Sequence, residues 1–454
     1  MSPSQPVLDR GREARRVATA SAVGTTIEWY DFFIYGTAAA LVFGKQFFPQ
    51  VSPVVGTLAA FATFAIGFLA RPLGGVVMGH FGDRIGRKSM LVWSLMLMGI
   101  ATFAIGLLPT YAAIGLWAPL LLVVLRFVQG FGLGGEWGGA ALMAVEHAEE
   151  GRRGFFGSFV AFGLPIGIVV SNLMFLVVSM VIAPVQFAAW GWRVPFLLSA
   201  VLVAVGLFVR LRVAESPVFD EVRKTRAERR MPVLDVIRRD GRAVLLAAGS
   251  YLGLSALGYI AIVYFVSYAT TTLQLPLRPI LLLIVVGSVL QALAILVSGR
   301  LSDRLGRRRV LLWACAGLVV SAVLFFPLVN TQSFGLIAVA LFVLFGFQGL
   351  YLGPQPAAFA ELFRTSVRYS GASLSLQLGT ILGGALVPFV ATALYGATGN
   401  SWSVTIYVTA LSVISLLCVF GLKETYQRDL ADETAPLGHT GVIPSPQAAT
   451  AEAS

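Results

Sequence analysis

Five ionisable residues stand inside long apolar stretches of this sequence: Glu28, Asp31, Arg71, Arg126 and Glu136. A charged side chain at the centre of a bilayer costs at least ~2.5–3.5 kcal/mol on insertion scales. Such residues therefore face a protein interior or a water-filled cavity, where they pair with one another. The five residues predict a polar site in the middle of a membrane protein.

The five residues comprise three carboxylates and only two guanidinium groups, so one acid lacks a fixed partner. Burial favours the neutral form of such a carboxyl group, which can then change its protonation state near neutral pH. Coupling to a proton requires this behaviour, and we predict Asp31 or Glu136 as the proton-coupling group, with Glu28 as a third candidate. An alternative hypothesis is that all five residues form a static network that closes the helix bundle.

The two arginines predict recognition of an anion, because a guanidinium group stays charged when buried and binds a carboxylate through two hydrogen bonds. A monocarboxylate or a small dicarboxylate would fit Arg71 and Arg126. Tyr35 shares one helix stripe with Glu28 and Asp31, and this stripe should line the cavity. The other candidate substrate contacts are polar or aromatic side chains within apolar stretches: Gln129, Asn172, Tyr251, Tyr259, Gln291, Gln348, Gln355 and Gln377. Hydrogen bonds between helices explain isolated amides about as well.

Membrane helices must position these residues. The chain has 454 residues, of which 57% are hydrophobic and 12% charged, whereas soluble domains are about 25% charged. A mean hydropathy of +0.83 excludes a single soluble core. Spanning helices need ~20 apolar residues each, and the sequence contains twelve such stretches. The predicted spans are 18–43, 55–80, 88–108, 118–146, 154–182, 191–212, 243–272, 279–300, 309–328, 333–360, 367–397 and 401–422.

The distribution of positive charge predicts the orientation of the chain. The two tails and the loops after the even-numbered spans hold 28 of the 33 lysines and arginines. Positive charge collects in cytoplasmic loops, so we expect both termini to be cytoplasmic and the protein to lie in the cell membrane. The net charge of +11 then reflects topology and does not indicate nucleic acid as a partner.

The same pattern divides the chain into five parts. The predicted parts are a cytoplasmic tail (1–17), a six-helix bundle (18–212), a cytoplasmic central loop (213–242), a second six-helix bundle (243–422) and a disordered cytoplasmic tail (423–454). The central loop is dense in charged residues, and the last tail is polar and rich in Ala, Thr and Pro.

Two loops repeat at an offset of 220 residues. The sequence GHFGDRIGRK begins at Gly79 and GRLSDRLGRR begins at Gly299. In both halves a glutamate also precedes an arginine by seven residues. Parallel repeats of this kind occur in a large class of secondary transporters. The candidate gating residues are Asp83, Arg84, Arg87, Glu146, Arg153, Asp303, Arg304, Arg307, Glu361 and Arg368. Such residues can form ion pairs in one conformation and break them in another, although basic loops that only set topology remain an alternative.

The repeated loop resembles the signature of the major facilitator superfamily, and the stretch from Arg126 to Gly132 (RFVQGFG) resembles its second motif. This resemblance implies an all-α membrane protein with twelve transmembrane helices in two pseudo-symmetric six-helix bundles. It also implies that the Asp–Arg loops act as the inner gate, while the two bundles rock around a central site.

A narrower resemblance is to the metabolite:proton symporters. It is carried by EWYDFF from Glu28, ARPLG from Ala70, GGEWGG from Gly134 and GWRVPF from Gly191, and residues 47–91 are especially similar to shikimate transporters. The resemblance implies proton-coupled import of a small organic acid or zwitterion, such as shikimate, a dicarboxylate, proline or betaine.

Two rival functions remain. A proton-driven exporter is the first, since the stretch from Gly163 to Gly167 (GLPIG) partly resembles the antiporter motif. A receptor or an intramembrane enzyme is the second, but the spans contain no visible nucleophile–base pair and no metal-ligand spacing. We therefore expect a transporter rather than an enzyme, a monomer without cofactor or metal, and the substrate and the bilayer as partners.

Overall fold

A computed structural model describes residues 7–85, 87–135, 141–142, 144–145, 148–149, 151–212, 232–364 and 367–426. For residues 7–21, 79–85 and 87–91, among others, it describes the backbone alone. Within the described ranges the regular structure is entirely helical.

Six long helices form the first half. Their bounds are Val7–Ala38 (α1), Pro53–Ile85 (α2), Arg87–Leu107 (α3), Trp117–Gly132 (α4), Arg153–Val181 (α5) and Val194–Arg212 (α6). A π turn and a short helix continue α1, and the shorter pieces of this half are Ala39–Phe43, Gly44–Phe47, Tyr111–Ile114, Leu133–Gly135, Pro184–Ala189 and Gly191–Arg193.

Six further helices form the second half. Their bounds are Pro232–Tyr259 (α7), Leu277–Leu305 (α8), Arg307–Val329 (α9), Phe334–Leu352 (α10), Arg368–Thr380 (α11) and Trp402–Gly421 (α12). Short pieces continue α7, α10 and α11, namely Ile260–Tyr264, Phe265–Ser267, Tyr268–Thr272, Gln355–Leu362, Ile381–Ala385 and Val387–Thr398.

The long helices suit a bilayer. In the described part of the chain, nine helical stretches are long and apolar enough to cross a membrane, and Val92–Leu107 and Trp117–Gly132 are shorter apolar helices. The prediction of an all-α membrane fold is thereby confirmed.

The packing of the helices repeats between the halves. In the first half α1 packs on α5 and α6, α2 on α4, and α3 on α4 and α6. In the second half α7 packs on α11 and α12, α8 on α10, and α9 on α10 and α12. The second set of contacts is the first shifted by six helices, so the predicted pseudo-symmetric pair of six-helix bundles is present. Contacts of α5 with α8, and of α2 with α11 and its continuation, join the two halves.

Glycines bring α5 and α8 into close contact. A Cβ atom added to Gly299 would lie 2.7 Å from the Ser158 Cβ, and one added to Gly154 would lie 2.6 Å from the Gly299 carbonyl oxygen. Only glycine fits at either position without displacing the opposite helix. Small residues allow such close approach of helices in membranes.

Two helices begin earlier than the sequence indicated. Helix α7 begins at Pro232, inside the predicted loop 213–242, and a non-helical backbone at Asp240 bends it before the apolar part. Proline suits the first turn of a helix, where its missing N–H is not needed. Helix α1 begins at Val7, inside the predicted tail 1–17. Arg, Glu and Ala are strong helix formers, so the helix extends beyond its apolar part.

In the described part of the chain, four π turns continue or interrupt the long helices. Ala39–Phe43 in the first half and Ile260–Tyr264 in the second lie about 220 residues apart, at equivalent places after α1 and α7. The other two are Tyr268–Thr272 and Ile381–Ala385. Such turns are frequent at functional sites, which directs attention to the space between α1, α7 and α11.

Candidate functional site

A pocket lies between the two halves, and we call it the Arg71 pocket. From the first half it is lined by Glu28 and Trp29 of α1, Arg71 of α2 and residues of α5. From the second half it is lined by Tyr251 of α7, Gln355 after α10, and Gln377 and Thr380 of α11. Both halves therefore contribute polar side chains to one cavity.

Arg71 presents an unsatisfied guanidinium edge in this pocket. Its side chain is 5% exposed, and its Cζ lies 4.6 Å from the ring centre of Phe32, 4.9 Å from that of Phe68 and 5.5 Å from that of Trp29. The Nε and Nη2 atoms are buried and have no hydrogen-bond partner. These two nitrogens form one edge of the guanidinium fork, which matches the two oxygens of a carboxylate.

A second polar group, which we call the Asp31 network, lies within the first half. The Asp31 side chain is fully buried, and its Oδ2 accepts a hydrogen bond from Thr102 Oγ1 at 3.2 Å. Gln129 Nε2 donates to Thr102 Oγ1 at 2.8 Å and to the Asp31 backbone oxygen at 3.2 Å. Arg126 Nη1 donates to Gln129 Oε1. The network thus links α1, α3 and α4.

Arg126 is enclosed by aromatic rings. Its Cζ lies 4.2 Å from the ring centre of Tyr35, 4.4 Å from that of Phe32 and 4.9 Å from that of Phe64. The Tyr35 hydroxyl forms a 2.6 Å hydrogen bond with Thr63 Oγ1. The rings provide cation–π attraction, which is stronger in a desolvated site. Buried Nε and Nη2 atoms of Arg126 still have no hydrogen-bond partner.

The ring of Phe32 connects the pocket with the network, because the guanidinium groups of Arg71 and Arg126 both lie over it. The predicted binding residues divide between the two places. Arg71, Tyr251 and Gln377 line the Arg71 pocket. Arg126, Tyr35 and Gln129 belong to the Asp31 network and its surroundings.

The remaining predicted residues lie in several places, with Gln355 in the Arg71 pocket and Gln291 in the adjoining pocket described below. Glu28 lines the Arg71 pocket and is 6% exposed. Tyr259 and Gln348 line an adjoining pocket, described below. Asn172 donates to the Ile168 oxygen of its own helix and is not among the residues that line either pocket. Glu136 lies outside the described residues.

Four functional candidates were not identified from the sequence. Trp29 and Thr380 line both pockets, and Ser255 lines the adjoining one. Thr102 completes the Asp31 network. A hydroxyl group within an apolar helix is common and carries no sequence signal, whereas the position of Trp29 beside Glu28 could have indicated it.

The candidate gating residues Asp303, Arg307 and Glu361 of the second half contact one another, and we call their location the Asp303 end. Asp303 Oδ1 and Oδ2 accept the backbone N–H groups of Gly154 and Phe155, each at 2.8 Å. Arg307 Nη1 bonds Asp303 Oδ1 at 2.7 Å, and its Nε and Nη2 bond Glu361 at 3.2 and 3.1 Å. Asp303 thereby joins the start of α5 to the end of α8, across the two halves.

The segment after α12 reinforces this arrangement. Glu361 Oε2 also accepts from Thr425 Oγ1 at 2.8 Å. Glu424 accepts the backbone N–H groups of Arg307 at 2.8 Å and Arg308 at 3.1 Å. The first residues after the last helix are therefore held against the loop between α8 and α9.

The other predicted gating residues are placed as follows. Arg153 lies near enough to Glu361 to act on it electrostatically, Arg368 is buried, and Arg304 is exposed. The side chains of Asp83, Arg84 and Arg87, and the whole of Glu146, lie outside the described part.

The halves also meet at the opposite end and beside the pocket. Arg278 Nη2 at the start of α8 donates to the Ser179 oxygen near the end of α5 at 2.6 Å. The Tyr259 ring of α7 packs on Phe64 and Phe68 of α2, with ring centres 5.7 and 5.3 Å apart. Helices α5 and α8 are thus joined at both ends, and α2 and α7 are in contact beside the Arg71 pocket.

Comparison with known proteins agrees with this architecture. A family model described as Major Facilitator Superfamily matches residues 21–376 and 251–450. The inner membrane metabolite transport protein YhjE of Escherichia coli (strain K12) is 42% identical over 420 residues, which cover 91% of this chain and 95% of that protein. The shikimate transporter of the same strain is 42% identical over 427 residues, covering 93% and 97%.

A solved structure shares the fold. The proton:xylose symporter XylE bound to 6-bromo-6-deoxy-D-glucose superimposes with a TM-score of 0.72, covers 93% of this chain and 98% of its own, and is 15% identical.

Proposed function

The chain belongs to the major facilitator superfamily, and from that premise we propose that it is a proton-coupled symporter that imports a small organic acid. The family resemblance seen in the sequence is confirmed. The chain is a multi-pass membrane transporter and not an enzyme. We propose three further properties: the substrate class, the coupling ion and the direction of transport.

The proposed substrate class rests on Arg71. Its Nε and Nη2 atoms are buried in a pocket between the halves without a hydrogen-bond partner. Leaving buried donors of a charged group unpaired is costly, and a carboxylate would satisfy both at once. A substrate bound there touches both halves, so its binding can influence their relative movement. The named function of one relative, shikimate transport, concerns a small carboxylate and supports this choice.

The Asp31 network supports the proton as the coupling ion. Asp31 Oδ1 is buried without a partner, so the ionised carboxylate is incompletely stabilised. The Thr102 hydroxyl lies 3.2 Å from Asp31 Oδ2 and 2.9 Å from the Met98 oxygen. With Asp31 ionised, Thr102 can donate to the carboxylate. With Asp31 protonated, the acid can donate to Thr102, which then donates to Met98. The network accommodates both protonation states without moving a helix.

The two sites can communicate through aromatic contacts. The Arg126 guanidinium is bonded to Gln129 of the network and lies over Phe32, as does the Arg71 guanidinium. A change in charge at Asp31 therefore acts on the same ring that supports the substrate arginine. Such coupling between proton and substrate is what symport requires.

The remaining parts of the proposal concern the membrane location, the topology and the oligomeric state. The protein lies in the inner membrane as a monomer with both termini in the cytoplasm, which places the Asp303 end on the cytoplasmic side. A relative is named as an inner membrane protein. Transport needs no cofactor besides the proton.

Uptake into proteoliposomes tests the function. Labelled shikimate, 2-oxoglutarate, citrate, proline and betaine are offered singly, under an inward proton gradient, with and without an uncoupler. We expect accumulation of a carboxylate that the uncoupler abolishes. Accumulation that ignores the uncoupler would refute proton coupling, and extrusion of a preloaded compound under the same gradient would favour the exporter.

A further inference from the structure

A second pocket adjoins the Arg71 pocket, and we call it the Gln291 pocket. It is lined by residues of α1, α5, α7, α8, α10 and α11, among them Ser255, Gln291 and Gln348. The two pockets share five lining residues: Trp29, Leu164, Tyr251, Leu352 and Thr380. The two pockets therefore adjoin along these residues, and a substrate held between them would contact residues of both.

Besides the two Arg71 nitrogens, three polar atoms of residues that line the joined pockets are buried without a hydrogen-bond partner: Gln291 Oε1, Ser255 Oγ and Gln355 Nε2. Their residues are 2%, 5% and 1% exposed. Buried polar groups in proteins are nearly always paired, and each exception calls for an explanation. Three exceptions at one cavity indicate that a ligand completes them.

The orientation of the Gln291 amide follows from its neighbours. Gln348 Nε2 lies 3.5 Å from the Leu254 carbonyl oxygen, which can only accept. The nitrogen of Gln348 must therefore face Leu254, and its Oε1 must face Gln291. Gln291 in turn donates through Nε2, at 3.1 Å. Its Oε1 remains the free acceptor.

The free groups are thus an acceptor on Gln291, a donor on Gln355 and a hydroxyl on Ser255 that can act either way. A substrate hydroxyl both donates and accepts, so it can satisfy each of them. A second carboxylate cannot donate to Gln291 Oε1, and a quaternary ammonium group forms no conventional hydrogen bond.

We propose that the Gln291 pocket recognises hydroxyl groups on the substrate, whose carboxylate binds Arg71. This inference rests on the proposed function and narrows it: the preferred substrates are hydroxylated monocarboxylates, rather than dicarboxylates or betaines. Gln291 and Ser255 are specificity-determining residues, because they distinguish a hydroxylated acid from its unhydroxylated counterpart.

Matched ligand pairs test the inference on the purified full-length chain. Dissociation constants are obtained from the concentration-dependent rise of Tm that a ligand of the native state produces. The pairs are quinate with cyclohexanecarboxylate and gluconate with hexanoate, and succinate and betaine complete the set. A site built to bind hydroxyl groups rejects analogues that lack them, so we expect at least one hydroxylated acid to bind at least about tenfold more tightly than its counterpart.

Variants test which residues distinguish a hydroxylated acid from its unhydroxylated counterpart. Ser255→Ala and Gln291→Leu should weaken binding of the preferred hydroxylated acid while leaving that of its counterpart unchanged. Ser288→Ala is the matched control, because that buried hydroxyl donates to the Ile284 oxygen of its own helix at 2.8 Å.

Equal binding within both pairs, or tighter binding of succinate, would overturn the inference, as would variants that weaken both members of a pair equally. The comparison of ligands uses the unaltered chain, so it remains valid even if a variant does not fold. If betaine alone binds and none of the carboxylates does, the proposed function itself fails.

Discussion

The carboxylate of Asp303 accepts the backbone N–H of Gly154 at 2.8 Å, so the last turn of α8 caps the first turn of α5. The first N–H groups of a helix have no partner within it. Here the partner comes from the other half of the protein, and separation of the halves at the Asp303 end would leave these N–H groups exposed. We therefore predict that this contact forms in one conformational state of the transporter and breaks in the other.

Asp303→Asn should favour opening of the Asp303 end. Asparagine has one acceptor oxygen instead of two, so it keeps at most one of the two bonds to the start of α5 and loses the ion pair with Arg307. Loss of a capping bond costs about 0.5–2 kcal/mol, which corresponds to a roughly 2- to 30-fold shift toward the open state. Spin labels at Arg152 and Arg304, both exposed, would report a longer mean distance by double electron–electron resonance. Asp240→Asn is the control, because its 3.1 Å pair with Arg364 lies within one half. An unchanged distance distribution in Asp303→Asn would remove the residue from the gate.

Asp31→Asn should abolish uphill accumulation of substrate while the variant is still expressed and still exchanges substrate down its gradient. Asparagine keeps the size of the side chain but cannot take up or release a proton. Uptake under a proton gradient and counterflow at equal pH, measured on the same proteoliposomes, separate the two properties. Full accumulation by this variant would move the coupling role to Glu28 or Glu136.

Arg71→Lys should weaken substrate binding at least about tenfold, because lysine keeps the charge but loses the planar fork. A hydrogen bond to a charged group contributes about 1.5–3 kcal/mol. The KM of uptake measures the effect. Arg193→Lys is a suitable control, since Arg193 Nη1 donates to the backbone oxygens of Gly106 and Leu108, away from the pocket. Equal KM values for both variants would assign Arg71 a structural role.

A chain that ends after Leu422 should have a lower Tm than one that ends after Tyr426. The shorter chain loses the bonds of Glu424 to the start of α9 and of Thr425 to Glu361. Each hydrogen bond contributes about 0.5–1.5 kcal/mol, and those to charged groups contribute more. Thermal unfolding in detergent measures the difference. An identical Tm for the two chains would show that the docked segment does not contribute to stability.

The fold was predictable because its signals are local. Hydropathy marks spanning segments one at a time, and the loops at Asp83 and Asp303 carry the internal repeat in their own residues. The start of α7 at Pro232 was not predictable from hydropathy, since the charged residues that follow it are equally typical of a loop and of an exposed helix turn.

The buried charged residues of the site could be predicted from the sequence, but the contacts between them could not. Burial of Asp31, Arg71 and Arg126 follows from the cost of placing charge in lipid. Which residue pairs with which depends on how helices distant in sequence face one another. No pattern in the sequence brings Thr102 to Asp31, or both arginines to the ring of Phe32.

The contact of Gly154 with Gly299 has an evolutionary consequence. A side chain at either position would displace the opposite helix, and no residue smaller than the glycine already across the contact can relieve the displacement. Neither position can therefore accept a side chain while the two helices cross this closely. In an alignment of homologues, positions 154 and 299 should both remain glycine, as a historical record of the crossing of α5 and α8.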